Sequence, residues 1–406
     1  MTVPPTSSSG IGRNGLSGRD WLILPLLSLL TIASILFAME KVARLAFPDS
    51  GHSINECMVI NDPSLGVHAR PNSMCTEQLP ESGLVEYRFN RCGHRSVMEC
   101  GPKSKGIYRI VVLGSSAALG VSVARERTFA ALLPALLSRD TGRPVEVYDA
   151  AVEYQRPAAL ALQLNRILAE EPADEILWIL TPTDIRDASD VAPDQGELRR
   201  SGLFAAIRNQ AAGVVETRSF SRLQNAMHFL LNRSRAATII RHYWYLSMSP
   251  NRYVDSYLQS GDFESGFLRA QPGAEWQDRI RKFDGFAGKI LDQVNASGLP
   301  LTAALIPNRA QATMIITKQW KPGFDPYKLD SQLREIVEKH GGTDLDILRH
   351  YREEATSAEE FFPVDGHPNA QGNAVFSALL ARELTSGVVP ALKAAAPANS
   401  ALEETR

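Results

Sequence analysis

Cysteine is missing from residues 101–406; the chain has four, Cys57, Cys75, Cys92 and Cys100, all in one short stretch. No CxxC pair occurs among them, which argues against a zinc site. An even, clustered set fits two disulfides formed in an oxidising compartment, and sequential pairing, Cys57–Cys75 and Cys92–Cys100, is the simplest of the connectivities. Excess charge is missing too: 43 Lys and Arg against 45 Asp and Glu leave a net charge of −2. That balance excludes bulk nucleic-acid binding. Seven of the eight histidines, His52, His68, His94, His228, His242, His340 and His350, show no metal-ligand spacing and read as surface or packing residues. No nucleotide or metal motif occurs, so no cofactor and no metal are expected.

Long apolar runs are also lacking, with one exception. "WLILPLLSLLTIASILFAM", residues 21–39, carries no charge. A helix of that length covers roughly 28 Å, close to the hydrocarbon thickness of a bilayer. A cleaved signal peptide would have a shorter apolar core, and no clean Ala-x-Ala site comes after the run. It therefore reads as a single-pass anchor in the cytoplasmic membrane. Flanking charge (Arg13 and Arg19 before, Lys41 and Arg44 after) says little about orientation. The cysteines, however, place the chain beyond the anchor outside the cytoplasm, in the periplasm if the cell is Gram-negative.

Residues 1–20, rich in Ser, Gly, Pro and Thr, read as a disordered cytoplasmic tail. Residues 40–106 read as a loop-rich, disulfide-stapled lead-in. From 107 onward, short apolar runs at 107–113, 145–151, 175–181, 299–307 and 343–351 predict strands, and the spacing at 127–139, 157–170, 326–340 and 370–384 predicts helices. Their alternation implies an α/β domain over 107–186 and 299–388, a parallel sheet with helices on both faces. Trp178 falls mid-strand and reads as core. Residues 187–298 read as a helical insertion, and 389–406 as a second disordered tail. Between Leu198 and Arg252 the insertion holds nine arginines and one acidic residue, Glu216, a pattern suited to an anionic glycan or lipid surface or to a solvated cap. Its "HYWY", 242–245, reads as aromatic packing inside the cap, with carbohydrate stacking as the other possibility.

Ligands in such a sheet bind at the carboxyl ends of the strands. "VVLGSSAALG" (111–120) puts Ser116 at one such end, and "DGHPNAQG" (365–372) brings Asp365 and His367 toward the same edge. A serine becomes nucleophilic when an imidazole takes its proton, and the imidazole needs a carboxylate to fix its tautomer. Asp365 and His367, two residues apart on a turn, can supply both.

These two blocks resemble the GDSxxxG and DxHPxxxG blocks of the SGNH (GDSL-like) hydrolase superfamily. "FNRCGHRS" and "DPSLGVHARPN" are similar to stretches of its membrane-anchored bacterial members. The resemblance spans about 60–190 and 295–385. It implies a flavodoxin-like three-layer fold with Ser116 as nucleophile, His367 as general base and Asp365 as its orienter. The departures are that Ser115 replaces the usual Asp, "YDAAVEYQ" carries Asp149 for Asn and Glu153 and Tyr154 near the expected glycine, and "TPTD" has Thr183 for the Asn donor while keeping Asp184. Ser116, Gly120 and Thr183 are then the oxyanion-hole candidates, and Asp184 and Asp149 the substrate-binding candidates. Acidic groups at Asp149 and Glu153 would not help a developing oxyanion. The implied activity is a serine esterase or O-acyltransferase on acyl esters, acetyl among them, of envelope or extracellular glycans or glycolipids. The alternatives are an impaired SGNH-fold protein with a glycan-binding or assembly role, and a lipase or thioesterase on membrane lipids.

Overall fold

The computed structural model describes residues 19–47, 53–62, 64–188, 234–355 and 358–394. Helix α1 (Asp20–Ala46) contains the uncharged run and continues past it. From Trp21 to Ala46 it is long and apolar enough to cross a membrane. The hydroxyls of Ser28 and Thr31 donate back to the carbonyls of Leu24 and Leu27 at 2.8 Å, so neither of these two needs water.

Two antiparallel hairpins come next. Strands β1 (Met58–Asp62) and β2 (Gly66–Ala69) form the first; β3 (Met74–Leu79) and β4 (Gly83–Arg88) form the second. The disulfides pair as the spacing suggests, Cys57–Cys75 and Cys92–Cys100. The lead-in is thus an ordered module rather than a run of loops.

Five strands form the parallel sheet: β5 (Tyr108–Leu113), β6 (Val145–Asp149), β7 (Glu175–Leu180), β8 (Leu301–Leu305) and β9 (Thr343–Leu345). Their spatial order is β6-β5-β7-β8-β9, the doubly wound flavodoxin-like arrangement, with the switch point between β5 and β7. Every residue of β5, β7 and β8 is buried, as a sheet covered on both faces demands. Among the described residues the helices include α2 (Ser116–Leu119), α3 (Phe129–Thr141), α4 (Pro157–Glu170), α5 (Pro182–Arg186), α6 (Arg235–Ser247), α7 (Pro250–Leu258), α8 (Ala274–Ala296), α9 (Arg309–Thr317), α10 (Lys328–Lys339), α11 (Ile347–Glu354) and α12 (Ala370–Glu383).

Three expectations shift. The last strand ends at Leu345, and 347–354 is a helix whose Ile347, Leu348 and Tyr351 are buried on one face. Their i, i+1, i+4 spacing is helical, but the short apolar run hides it. Helix α8, expected within the insertion, packs on α4 and stacks Phe283 on Trp178 with ring centroids 5.5 Å apart, so 274–296 is the crossover between β7 and β8. Trp178 is core, as its strand position indicates. At the far end, Leu392 is fully buried, so order extends into the stretch that reads as a tail. Residues 189–233, with six of the nine arginines between Leu198 and Arg252, lie outside the described residues.

Candidate active site

Strand β5 must stop at Gly114. Its φ is +151°, and a Cβ there would lie 2.7 Å from the Ile179 carbonyl oxygen and 2.6 Å from the Ala118 Cβ. Only glycine fits, and the chain turns at once into α2. Ser115 takes the N-cap position and is buried, while Ser116 opens the helix and is partly exposed. The Ser116 hydroxyl therefore stands at the carboxyl edge of the sheet, beside the switch point.

The second block closes a turn around the imidazole. The Phe362 N–H donates to the His367 carbonyl and the Gly366 N–H to the Phe362 carbonyl, both at 2.9 Å, with Gly366 at φ +82°. Asn369 caps α12 by accepting from the Gln371 and Gly372 amides. Gly372 approaches the Glu360 carbonyl so closely that a Cβ would lie 2.2 Å from its oxygen. Asn373 accepts from the Phe129 amide and so fastens α12 to α3, the helix after the nucleophile loop. Gly366, Asn369, Gly372 and Asn373 of "DGHPNAQGN" thus each have a local reason.

The result is one line of contacts. His367 Nε2 lies 2.7 Å from Ser116 Oγ, and His367 Nδ1 lies 2.7 Å from Asp365 Oδ2. This is the geometry a general base and its orienter require. Burial disfavours a charged imidazole, but the Asp365 carboxylate, with Glu153 and Glu77 nearby, outweighs it and raises the His367 pKa. Burial would raise Asp365, yet the charge and hydrogen bonds of His367 bring its pKa below the usual value.

Other candidates take different places. Asp184 is buried: its Oδ2 accepts from the Thr181 amide and hydroxyl, both at 2.7 Å, and its carboxylate also accepts from the Ser115 hydroxyl. It caps α5 and holds Ser115 in the loop that carries Ser116. Asp149 is 4% exposed, accepts from the Ala151 amide and is pushed up to about 7 by burial; it has no surface to offer a ligand. Gly120 is not a free oxyanion donor either. Its amide donates to the Ala117 carbonyl, and its φ of +71° and the Thr128 methyl, which would meet a Cβ at 2.4 Å, explain the glycine. Thr183 is exposed at the start of α5, on the same sheet edge. The Ser116 amide, in the first turn of α2, has no backbone partner among the described residues. Burial and neighbouring Glu77 push Glu153 up to about 8, which favours its uncharged form.

Sequence reading misses the hairpin module's share of the site. Arg95, 1% exposed, donates to the carbonyls of Leu119, Gly120 and Val123 at 2.9, 2.8 and 2.7 Å and covers the Tyr87 ring at 4.5 Å. Tyr87 accepts from the Ser122 amide and donates to Glu77. Glu81, in the β3–β4 turn, accepts from the Asp365 amide at 2.9 Å and the Val364 amide at 3.1 Å, and its Oε1 lies 2.6 Å from His242 Nδ1. Arg95 lies within "FNRCGHRS", so its neighbourhood at least is marked by the resemblance; nothing in the sequence marks Glu77 or Glu81.

No protein-family profile and no curated protein matches this chain. Solved structures similar to it include the lipase/acylhydrolase from Enterococcus faecalis (12% identity, 68% of this chain and 95% of that one, TM-score 0.32). A catalytic mutant of Axe2, an acetylxylan esterase from Geobacillus stearothermophilus, matches at 8% identity over 68% and 94%, with a TM-score of 0.36. The psychrotrophic esterase EstA from Pseudoalteromonas sp. matches at 9% over 68% and 97%, with a TM-score of 0.35. Likeness of this degree decides nothing about activity; the chain's own strand order and site geometry carry the functional reading.

Proposed function

We propose that this chain is a membrane-anchored serine esterase of SGNH type, acting outside the cytoplasm on acyl esters, acetyl among them, of envelope or extracellular glycans. The observation that carries this reading is the imidazole of His367, 2.7 Å from both Ser116 Oγ and Asp365 Oδ2. His367 Nε2 removes the hydroxyl proton as Ser116 Oγ bonds to the ester carbonyl carbon, and Asp365 stabilises the imidazolium. The Ser116 amide and the Thr183 hydroxyl are the proposed donors to the oxyanion. The carbon–oxygen bond to the sugar then breaks, and the departing alkoxide takes the proton from His367. Water, deprotonated by the same imidazole, attacks the acyl-serine and releases the carboxylic acid; a sugar hydroxyl in its place would make the reaction a transfer. The disulfides and α1 support the extracytoplasmic location. Hydrolysis of a chromogenic acetyl ester by the wild type, abolished in Ser116→Ala, is the expected result; equal rates would overturn the reading.

A further inference from the structure

Helix α6 presents its faces in reverse. Ile240, Tyr243, Trp244 and Leu246 are 52%, 67%, 57% and 47% exposed, while Thr238, Arg241 and His242 are only partly accessible. A helix packed on a protein in water hides its apolar stripe and exposes its polar one. Within "HYWY" the Tyr245 ring meets Tyr253 edge-on at 6.0 Å and Tyr243 meets its neighbour His242 at 5.3 Å, but Tyr243 and Trp244 are not buried inside the cap, and the outward stripe lacks an apolar partner among the described residues.

What α6 is fastened to indicates that partner. Glu40 of α1 caps its N-terminus, accepting from the Ser234 hydroxyl at 2.7 Å and from the amides of Ala236 and Arg235 at 3.2 and 3.3 Å. Glu40 is the first charged residue after the uncharged run 21–39. Helix α6 thus begins at the level where α1 leaves the apolar layer. Tyrosine and tryptophan, each with an apolar body and a polar tip, favour that level of a bilayer.

We propose that the outer face of α6, with Ile240, Tyr243, Trp244 and Leu246, is seated in the headgroup region of the bilayer that α1 spans. This rests on reading α1 as an anchor. It also deepens the proposed function. On the inner side of the same helix, His242 bonds Glu81, which holds the Asp365 turn. An α-helix with its side chains is about 10 Å across, so the triad works close to the membrane surface. Its substrates are then esters on membrane-embedded carriers, a glycolipid or a lipid-linked glycan, in preference to freely diffusing ones.

The test uses the full chain in phosphatidylcholine–phosphatidylglycerol vesicles. The native cysteines are all in disulfides, so one introduced cysteine takes an environment-sensitive fluorophore. Labels are placed at Tyr243→Cys, at Leu162→Cys on α4 (55% exposed) and at Ile32→Cys in α1. Lipids carrying a nitroxide near the headgroup should quench the Tyr243→Cys label several-fold more than the Leu162→Cys label. Equal quenching overturns the proposal, as does a blue shift without nitroxide quenching, which would mean protein covers the face. If deep nitroxides quench Ile32→Cys while Tyr243→Cys is unaffected, the seating fails and the anchor stands. If Ile32→Cys is not quenched, the anchor fails and the seating with it. None of these readouts needs turnover, so the esterase reading is tested separately.

Discussion

The sheet edge and the disulfide-stapled hairpins meet around one imidazole, and they contribute different things to it. From the sheet edge come the groups that would exchange protons and form bonds: Ser116 at the end of β5, and Asp365 and His367 before α12. From the hairpins and the Cys92–Cys100 loop after them come carboxylates and a guanidinium that touch the loops rather than the reacting atoms. Arg95 gathers three carbonyls of the nucleophile loop, and Glu81 gathers two amides of the histidine turn. A hydrogen bond between two side chains is only as well aimed as the backbones that carry them. Here a module outside the α/β domain aims both, and disulfides stiffen that module.

That division of labour orders the expected losses. Removing a reacting group should cost most: Ser116→Ala is expected to lower kcat by at least about a thousandfold, and Asp365→Asn by on the order of a thousand to ten thousand, with melting temperatures near the wild type's. Removing a holding group should cost less activity and more stability. Arg95→Lys keeps the charge but loses the planar fork, and a loss of about 2–3 kcal/mol is expected in denaturant unfolding. Glu81→Gln should lower kcat by about tenfold, far less than Asp365→Asn, because an amide oxygen can still accept from the turn. A Glu81 variant as inactive as Asp365→Asn would erase the distinction between the two regions.

The smallest effect is the sharpest. The acidic surroundings hold His367 above the ordinary histidine value, and the proposed base is its neutral form. The logarithm of kcat/KM should therefore rise with pH and level off at a midpoint above about 6.5. Glu77 is one of the carboxyl groups favouring the imidazolium, so Glu77→Gln should move that midpoint down by a fraction of a unit. A midpoint that moves up would mean that the hairpin carboxylate acts otherwise.

The first region is legible in the sequence; little of the second is. Strands such as "IYRIVVL" and "EILWILT" are continuous apolar runs because both faces of the sheet are covered. The two blocks are legible because each packs several local requirements into a few residues: Gly114 beneath Ile179, Gly366 at positive φ, Gly372 against a carbonyl. Glu77 and Glu81 carry no such mark. A carboxylate in a hairpin turn looks solvated until the tertiary fold buries it, and Glu81, 4% exposed, is bound to a turn 283 residues away in sequence. The same holds for Asp184 and Asp149, whose residue types do not show that the fold buries them. The exposed stripe of α6 escapes a sequence reading because apolar residues at helical spacing usually mean protein core.

The convergence of Ser116 and His367 is tested most directly by a fluorophosphonate, which reacts only with a serine activated in this way and needs no knowledge of the natural ester. Full-length protein in detergent, treated and then digested, should yield one phosphonylated peptide containing Ser116, missing from Ser116→Ala and from His367→Ala. A folded wild type that stays unlabelled, or that carries the adduct on another serine, would contradict the account.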